Sequence, residues 1–193
     1  MSELELDATE PSSSDQAPPA GATPDRAPSD ERTRSYAWHD PMASFAEGAT
    51  LSGIDYLRAM ADGKIPVPPI AETMGFDRIA EVEEGRVVFR MTPAEHHYNP
   101  IGSVHGGVYA TILDSACGCA VQSLLPQGDF YTSVDLTVKF LRPMSITTGP
   151  VDCIGTVTHI GRRTALAEAR LVDANGKLYA TATSSCLIIR AGS

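Results

Sequence analysis

Gly106-Gly-Val-Tyr-Ala-Thr-Ile-Leu-Asp-Ser-Ala-Cys-Gly-Cys-Ala-Val-Gln-Ser-Leu-Leu125 is the stretch that decides the fold. Asp114 is its sole charged residue, and Pro126 and Gly128 close it, so it reads as one long helix. A helix that is apolar on nearly every side must be buried on most of them. Either a sheet wraps it or a second subunit covers it. Outward from this helix the pattern turns to strands. Gly75–Val82 and Arg86–Met91 flank a Glu83–Gly85 turn as a hairpin, and residues 92–105 read as an irregular polar loop. Beyond the helix, Phe130–Leu141, Val151–Ile160, Arg163–Val172 and Lys177–Ile189 favour strands, with Asn175-Gly176 a strong hairpin marker. One long helix between two strands and four strands specifies an α+β domain with a predominantly antiparallel sheet lying on or wrapping the helix.

Composition limits what such a domain does. The 193 residues are 42% apolar and 20% charged, which excludes a wholly disordered or collagen-like chain. No run approaches the ~18 apolar residues that a bilayer span requires. The acidic N-terminus lacks the basic and apolar regions of a secretory signal, so a cytoplasmic location is expected. Of the net charge of −9, residues 1–35 hold −5, from eight acids against Arg26, Arg32 and Arg34. With no cluster of Lys and Arg, counterion-driven binding to nucleic acid is disfavoured, whereas a ligand with a few phosphates needs only two or three local arginines. Cys117, Cys119, Cys153 and Cys186 form no CxxC and no zinc spacing, and sit among small or apolar residues as reduced hydrophobes.

Residues 1–35, with five prolines and few large apolar side chains, are expected to be a disordered arm. Residues 36–71 read as a helical extension: Ser52 caps a helix running to about Asp62, Gly63 ends it, and Pro66, Pro68 and Pro69 prevent its resumption. Residues 72–193 form the main domain.

Asp114 is the anomaly of the long helix. A shielded carboxylate is costly unless it is hydrogen-bonded or functional. It lies on a stripe with Gly107, Thr111, Cys117 and Val121, whose small residues leave room for a ligand. The alternative is a structural carboxylate satisfied by Thr111 or Ser115. Leading into the helix is Asn99-Pro-Ile-Gly-Ser-Val-His105-Gly106-Gly107, and unpaired N–H groups at a helix start suit a developing oxyanion. Ser133 and Asp135 are expected on one face of a continuous strand Phe130–Leu141, with Val134, Leu136, Val138 and Phe140 on the other. His96 and His97 beside Glu95 suggest a metal only weakly, since adjacent histidines point apart in an extended chain; no metal and no cofactor are expected. Arg142, Arg162 and Arg163, all in turns, are the candidates for phosphate contact.

The run His97-Tyr-Asn-Pro-Ile-Gly-Ser-Val-His-Gly-Gly-Val-Tyr-Ala-Thr-Ile-Leu-Asp114 resembles the signature of hotdog-fold acyl-CoA thioesterases of the phenylacetate-degradation type. Thr132-Ser-Val-Asp-Leu, Phe140-Leu-Arg-Pro and Gly161-Arg-Arg-Thr-Ala resemble the same family in order and spacing. The resemblance spans about residues 72–190. It implies a central helix wrapped by an antiparallel sheet, in a homodimer or homotetramer whose active sites lie between subunits. It further implies hydrolysis of an acyl-CoA substrate, while the charge and the apolar runs read above speak against nucleic acid and a membrane as partners. Asp114 would be general base or nucleophile, and a carboxylate shielded from water suits general-base work. Gly106 N–H, aided by Asn99, would polarise the thioester carbonyl. His105 would shape the loop, Ser133 would position the attacking water, and Gly107, Arg142, Arg162 and Arg163 would meet the substrate. Two other readings of the same residues compete. A hydratase pairs its aspartate with a nearby histidine, yet none follows Asp114 before His159. A non-catalytic acyl-CoA module has no need of the carboxylate.

Overall fold

A computed structural model describes residues 30–191. The disordered arm expected over 1–35 falls, through residue 29, outside the described residues. From Tyr36 onward four helices and seven strands follow one another. They are α1 (Pro41–Gly48), α2 (Gly53–Ala61), α3 (Pro69–Met74), β1 (Phe76–Glu83), β2 (Arg86–Met91), α4 (Gly106–Gln122), β3 (Phe130–Ser133), β4 (Thr137–Phe140), β5 (Val151–Ile160), β6 (Thr164–Asp173) and β7 (Leu178–Ile189). All pairings are antiparallel, in the order β1-β2-β5-β6-β7-β3, with β4 also on β7. The expected α+β class and the hotdog arrangement are what the chain adopts: α4 lies against a single seven-stranded sheet.

The seat for α4 is built by alternation. In β6 every second residue faces the helix, and three of the four are alanines: Ala165, Ala167 and Ala169, then Leu171. Ala180 and Ala182 of β7 continue the strip of small side chains. On β5 the same requirement is met by Gly155, where a Cβ would stand 2.0 Å from the Ala116 carbonyl oxygen. Into this shallow trough α4 lowers Ile112, Leu113, Ala116, Cys117, Ala120 and Val121, all fully buried. Gly118 makes the equivalent allowance for β3, since a Cβ there would collide with the Tyr131 ring.

Two sequence expectations need correction. Phe130–Leu141 is not one strand. β3 and β4 pair with successive parts of β7, and the chain kinks at residues 134–136. Asp135 makes the kink: its Oδ1 accepts from Ser185 N at 3.0 Å, and its carbonyl accepts from Ser184 Oγ at 2.8 Å. The carboxylate thus replaces a ladder acceptor, so Asp135 does not share a working face with Ser133. Val134 is left 68% exposed. The prolines after α2 do not forbid a further helix either, because Pro69 opens α3 at its first position, where a missing N–H costs nothing. Gly75, at φ +69°, ends α3. α2 itself is as read, with Ser52 Oγ accepting from Asp55 N and Gly63 in the left-handed conformation.

Gly155→Ala is expected to destabilise the fold by about 1–3 kcal/mol, because the new methyl meets backbone that cannot rotate away. Chemical denaturation of the variant against wild type measures this; an unchanged midpoint would contradict the close seating of α4.

Candidate active site

The loop 92–105 is held by its own polar side chains. Asn99 Oδ1 accepts from Ile101 N and Ser103 N, each at 3.1 Å, while its amide donates to Ser103 Oγ at 3.1 Å. Asn99 therefore fixes the loop before it can do anything else. His97 is buried; its Nδ1 accepts from Ala94 N at 3.0 Å and its Nε2–H donates to the Met74 carbonyl at 2.7 Å. Both ring nitrogens are engaged with backbone. The two histidines do not point apart as in an extended chain: a single 3-10 turn brings their ring centroids to 4.1 Å. His97 O in turn accepts from His105 N at 2.8 Å, delivering the chain to the start of α4.

At that start His105 is the N-cap, its Nδ1 accepting from Gly107 N at 2.9 Å. This bond fixes the neutral ring with its proton on Nε2. Val108 N–H goes to the His105 carbonyl. Gly106 N–H donates to no group among the described residues, and it stands at the positive end of a 17-residue helix. Before it opens a cavity of about 320 Å³ lined by Ser103, Gly106, Tyr109, Phe140, Leu141 and Arg142. Of the sequence candidates, Gly106 and Arg142 thus meet at one cavity. Arg142 Nη1 donates to the Leu178 carbonyl at 2.6 Å. Gly107 is exposed on the outer side of the helix start. Arg162 and Arg163 are exposed in the β5–β6 turn and line neither this cavity nor the one at Asp114.

Asp114 lies two turns further along. It is half-buried rather than enclosed, and its partner is Ser133, whose Oγ donates to Oδ1 at 2.9 Å. The partners expected for a structural carboxylate are not the ones found, since Thr111 Oγ1 donates to the Gly107 carbonyl and Ser115 Oγ to the Thr111 carbonyl. The small-residue stripe also bends away: Cys117 and Val121 are fully buried beneath the sheet. What Asp114 faces instead is a mostly apolar cavity of about 200 Å³, which it lines with Ser115, Cys119 and Tyr131. Burial pushes the Cys119 thiol up to about 12, with the Asp114 charge adding to the effect and a Tyr131 hydrogen bond opposing it. The Cys117 thiol is likewise pushed up to about 12, chiefly by burial. Both shifts disfavour the thiolate at neutral pH.

Gly106 and Asp114 cannot serve one carbonyl within one chain. Eight residues of helix separate them by about 12 Å along the axis. A reacting centre needs to sit within about 3 Å of both groups. Their two cavities share no lining residue. Tyr131 and the α2–α3 segment, which line the Asp114 cavity, were not singled out from the sequence. The alternation of Tyr131 with Ser133 along β3 was the available signal for the first.

A profile of the thioesterase superfamily matches residues 101–180, from the loop before α4 into β7. An inferred esterase of Saccharolobus solfataricus is 31% identical over 113 residues, covering 58% of this chain and 79% of its own. The chain belongs to the thioesterase superfamily. A second superfamily relative, the 1,4-dihydroxy-2-naphthoyl-CoA hydrolase of Listeria monocytogenes, is 26% identical over 56% of this chain and 86% of that one. Among solved structures, a phenylacetic acid degradation-related protein of Ralstonia eutropha JMP134 aligns with a TM-score of 0.62 at 30% identity, over 68% of this chain and 98% of that one.

Ser133→Ala is expected to lower kcat/KM by roughly 10- to 100-fold, the value of a hydrogen bond to a charged group, while leaving the melting temperature within a few degrees. Unchanged turnover would show that the Ser133–Asp114 bond has no part in the chemistry.

Proposed function

We propose that this thioesterase hydrolyses an acyl-CoA thioester to free carboxylic acid and CoA, with Asp114 as general base or nucleophile and Gly106 N–H as the oxyanion donor. Superfamily membership and the naphthoyl-CoA hydrolase among its relatives support the CoA ester as substrate. The observation that carries the residue roles is the pairing of a free N–H at a helix start with a serine-anchored carboxylate beside an apolar cavity.

In the reaction Asp114 either takes a proton from the attacking water or attacks the carbonyl carbon itself. Ser133 holds one carboxylate oxygen and leaves the other for this work. The carbonyl oxygen becomes negative and is met by Gly106 N–H, with the N-terminal dipole of α4 behind it. Collapse of the tetrahedral intermediate breaks the C–S bond; on the general-base route the proton taken by Asp114 passes to the departing CoA thiolate and the acid is free, and on the nucleophilic route water then hydrolyses the acyl–Asp114 anhydride. His105 keeps the adjoining Gly107 N–H occupied, so that Gly106 alone is presented. Asn99 maintains the loop that makes this possible. Arg142, which lines the Gly106 cavity, would meet a phosphate of CoA, whereas Arg162 and Arg163 stand by the opposite end of β7, where Arg163 O accepts from Ile188 N, and are not part of that cavity.

The separation of Gly106 from Asp114 supports a homodimer in which one chain supplies the oxyanion donor and the other the carboxylate. Among the described residues β4 pairs only with β7 and carries exposed Phe140, followed by Leu141, with Val134 before it and Ile101 on the loop. An unpaired strand edge with apolar neighbours is a surface that a second copy fits.

Release of free CoA thiol from a panel of aryl, short and medium acyl-CoA esters tests the reading. Wild type is expected to turn over a subset of the panel, and Asp114→Asn to lose at least about 10²-fold in kcat at unchanged melting temperature. No release from any ester, with the esters still raising the melting temperature, would make the protein a binding module instead.

A further inference from the structure

The cavity at Asp114 has a roof that comes from outside the stretch matched by the superfamily profile, namely Met60 of α2, Val67 of the following loop, and Ile70 and Ala71 of α3. The sheet supplies its walls through Phe76 of β1 and Phe89 of β2. The roof is fastened at both ends. Gly53 N donates to the Leu125 carbonyl at 3.0 Å, and α2 approaches α4 so closely that a Cβ on Gly53 would overlap the Gln122 carbonyl oxygen. Leu57 and Ile65 on either side of Met60 are fully buried. At the far end Met74 O accepts from His97 Nε2, the same histidine whose carbonyl holds His105. The roof and the oxyanion loop thus share one buried anchor, which argues for a preformed cavity rather than a loose flap.

The chemistry of the lining identifies what enters. Apart from Asp114, Ser115 and the Tyr131 hydroxyl, the surroundings are hydrocarbon or sulfur, which would not accept the phosphates of CoA. An acyl group whose carbonyl rests at Asp114 and whose tail lies under Met60 and Ile70 matches both ends. Size narrows the class. A 150 Å³ apolar cavity holds benzene, and this one is about 200 Å³.

Resting on the hydrolase reading above, we infer that α2, α3 and the chain between them form the acyl subsite and set its length, admitting a single aromatic ring or a chain of about six carbons. Ala71 is 8% exposed and Ile70 46%, so the first is within the roof and the second at its rim. Ala71→Leu fills the cavity, and Ile70→Ala opens it at a residue whose partial exposure keeps the stability cost small.

The experiment is kcat/KM of the full chain and both variants on acetyl-, butanoyl-, hexanoyl-, decanoyl- and benzoyl-CoA, with melting temperatures recorded. Wild type is expected to favour hexanoyl- or benzoyl-CoA over decanoyl-CoA by at least about tenfold. Ala71→Leu is expected to reduce the hexanoyl-to-acetyl ratio by about tenfold or more, the usual weight of one or two methylenes in an apolar pocket. Ile70→Ala is expected to raise the decanoyl-to-hexanoyl ratio. If Ala71→Leu does not fold, Ile70→Ala decides. Ratios unchanged in the folded variants, with wild type active, would overturn the acyl subsite and leave the hydrolase reading standing. No CoA release by wild type from any ester would overturn the hydrolase reading and the subsite with it.

Discussion

Everything in this molecule depends on how closely α4 lies against the sheet. Where Gly155 meets the Ala116 carbonyl there is no room for a methyl group, and the alanines of β6 and β7 extend that allowance along the helix. Close seating buries the apolar side of α4 on small residues and leaves its other side free of the sheet. On that side Gly107, Thr111, Asp114 and Ser115 emerge, the last two into the cavity that α2 and α3 roof, and Gly118 lets Tyr131 in beside Cys119. A sheet face of large side chains would have lifted the helix and separated Asp114 from Ser133.

The distance between Gly106 and Asp114 follows from the same geometry. An α-helix offers an unsatisfied N–H only at its first turn, and the only carboxylate on this helix is two turns away. Within one chain no single carbonyl reaches both groups. In the dimer we propose, two copies with α4 helices side by side in opposite directions would bring the two groups together twice over, as a two-fold axis requires. The exposed apolar residues beside β4 are understandable as the surface that such a pairing covers.

The sequence carried the helix, the hairpin and most of the strand alternation, and it marked Asp114 and Gly106 as anomalies, because each has a local signature. Asp114 stood out as a charge in an uncharged run, and Gly106 as a glycine after a capping histidine. What it concealed was set by tertiary partners. The break in Phe130–Leu141 arises because Asp135 bonds the backbone of β7, which strand periodicity cannot show. The proline that opens α3 has the same composition as one that ends a helix. His97 reads as a possible ligand until the Met74 carbonyl and the Ala94 N–H are seen to occupy it. The roof over the Asp114 cavity is assembled from residues 43 to 54 positions upstream of the carboxylate, a distance over which no sequence pattern reports.

The central claim is that each active site joins Gly106 of one chain to Asp114 of another. The direct measurement is turnover by a mixed dimer of Gly106→Pro and Asp114→Asn chains, co-expressed with different tags and purified through both. Proline fits the first helical position and removes the N–H. His105 before it is already extended, and the half-exposed Phe140 ring can yield to the added carbons. Each homodimer should be nearly inactive, while the mixed dimer should regain one intact site and about half the wild-type rate. A mixed dimer as inactive as its parents would show that both groups act within one chain, and would contradict a site shared between subunits.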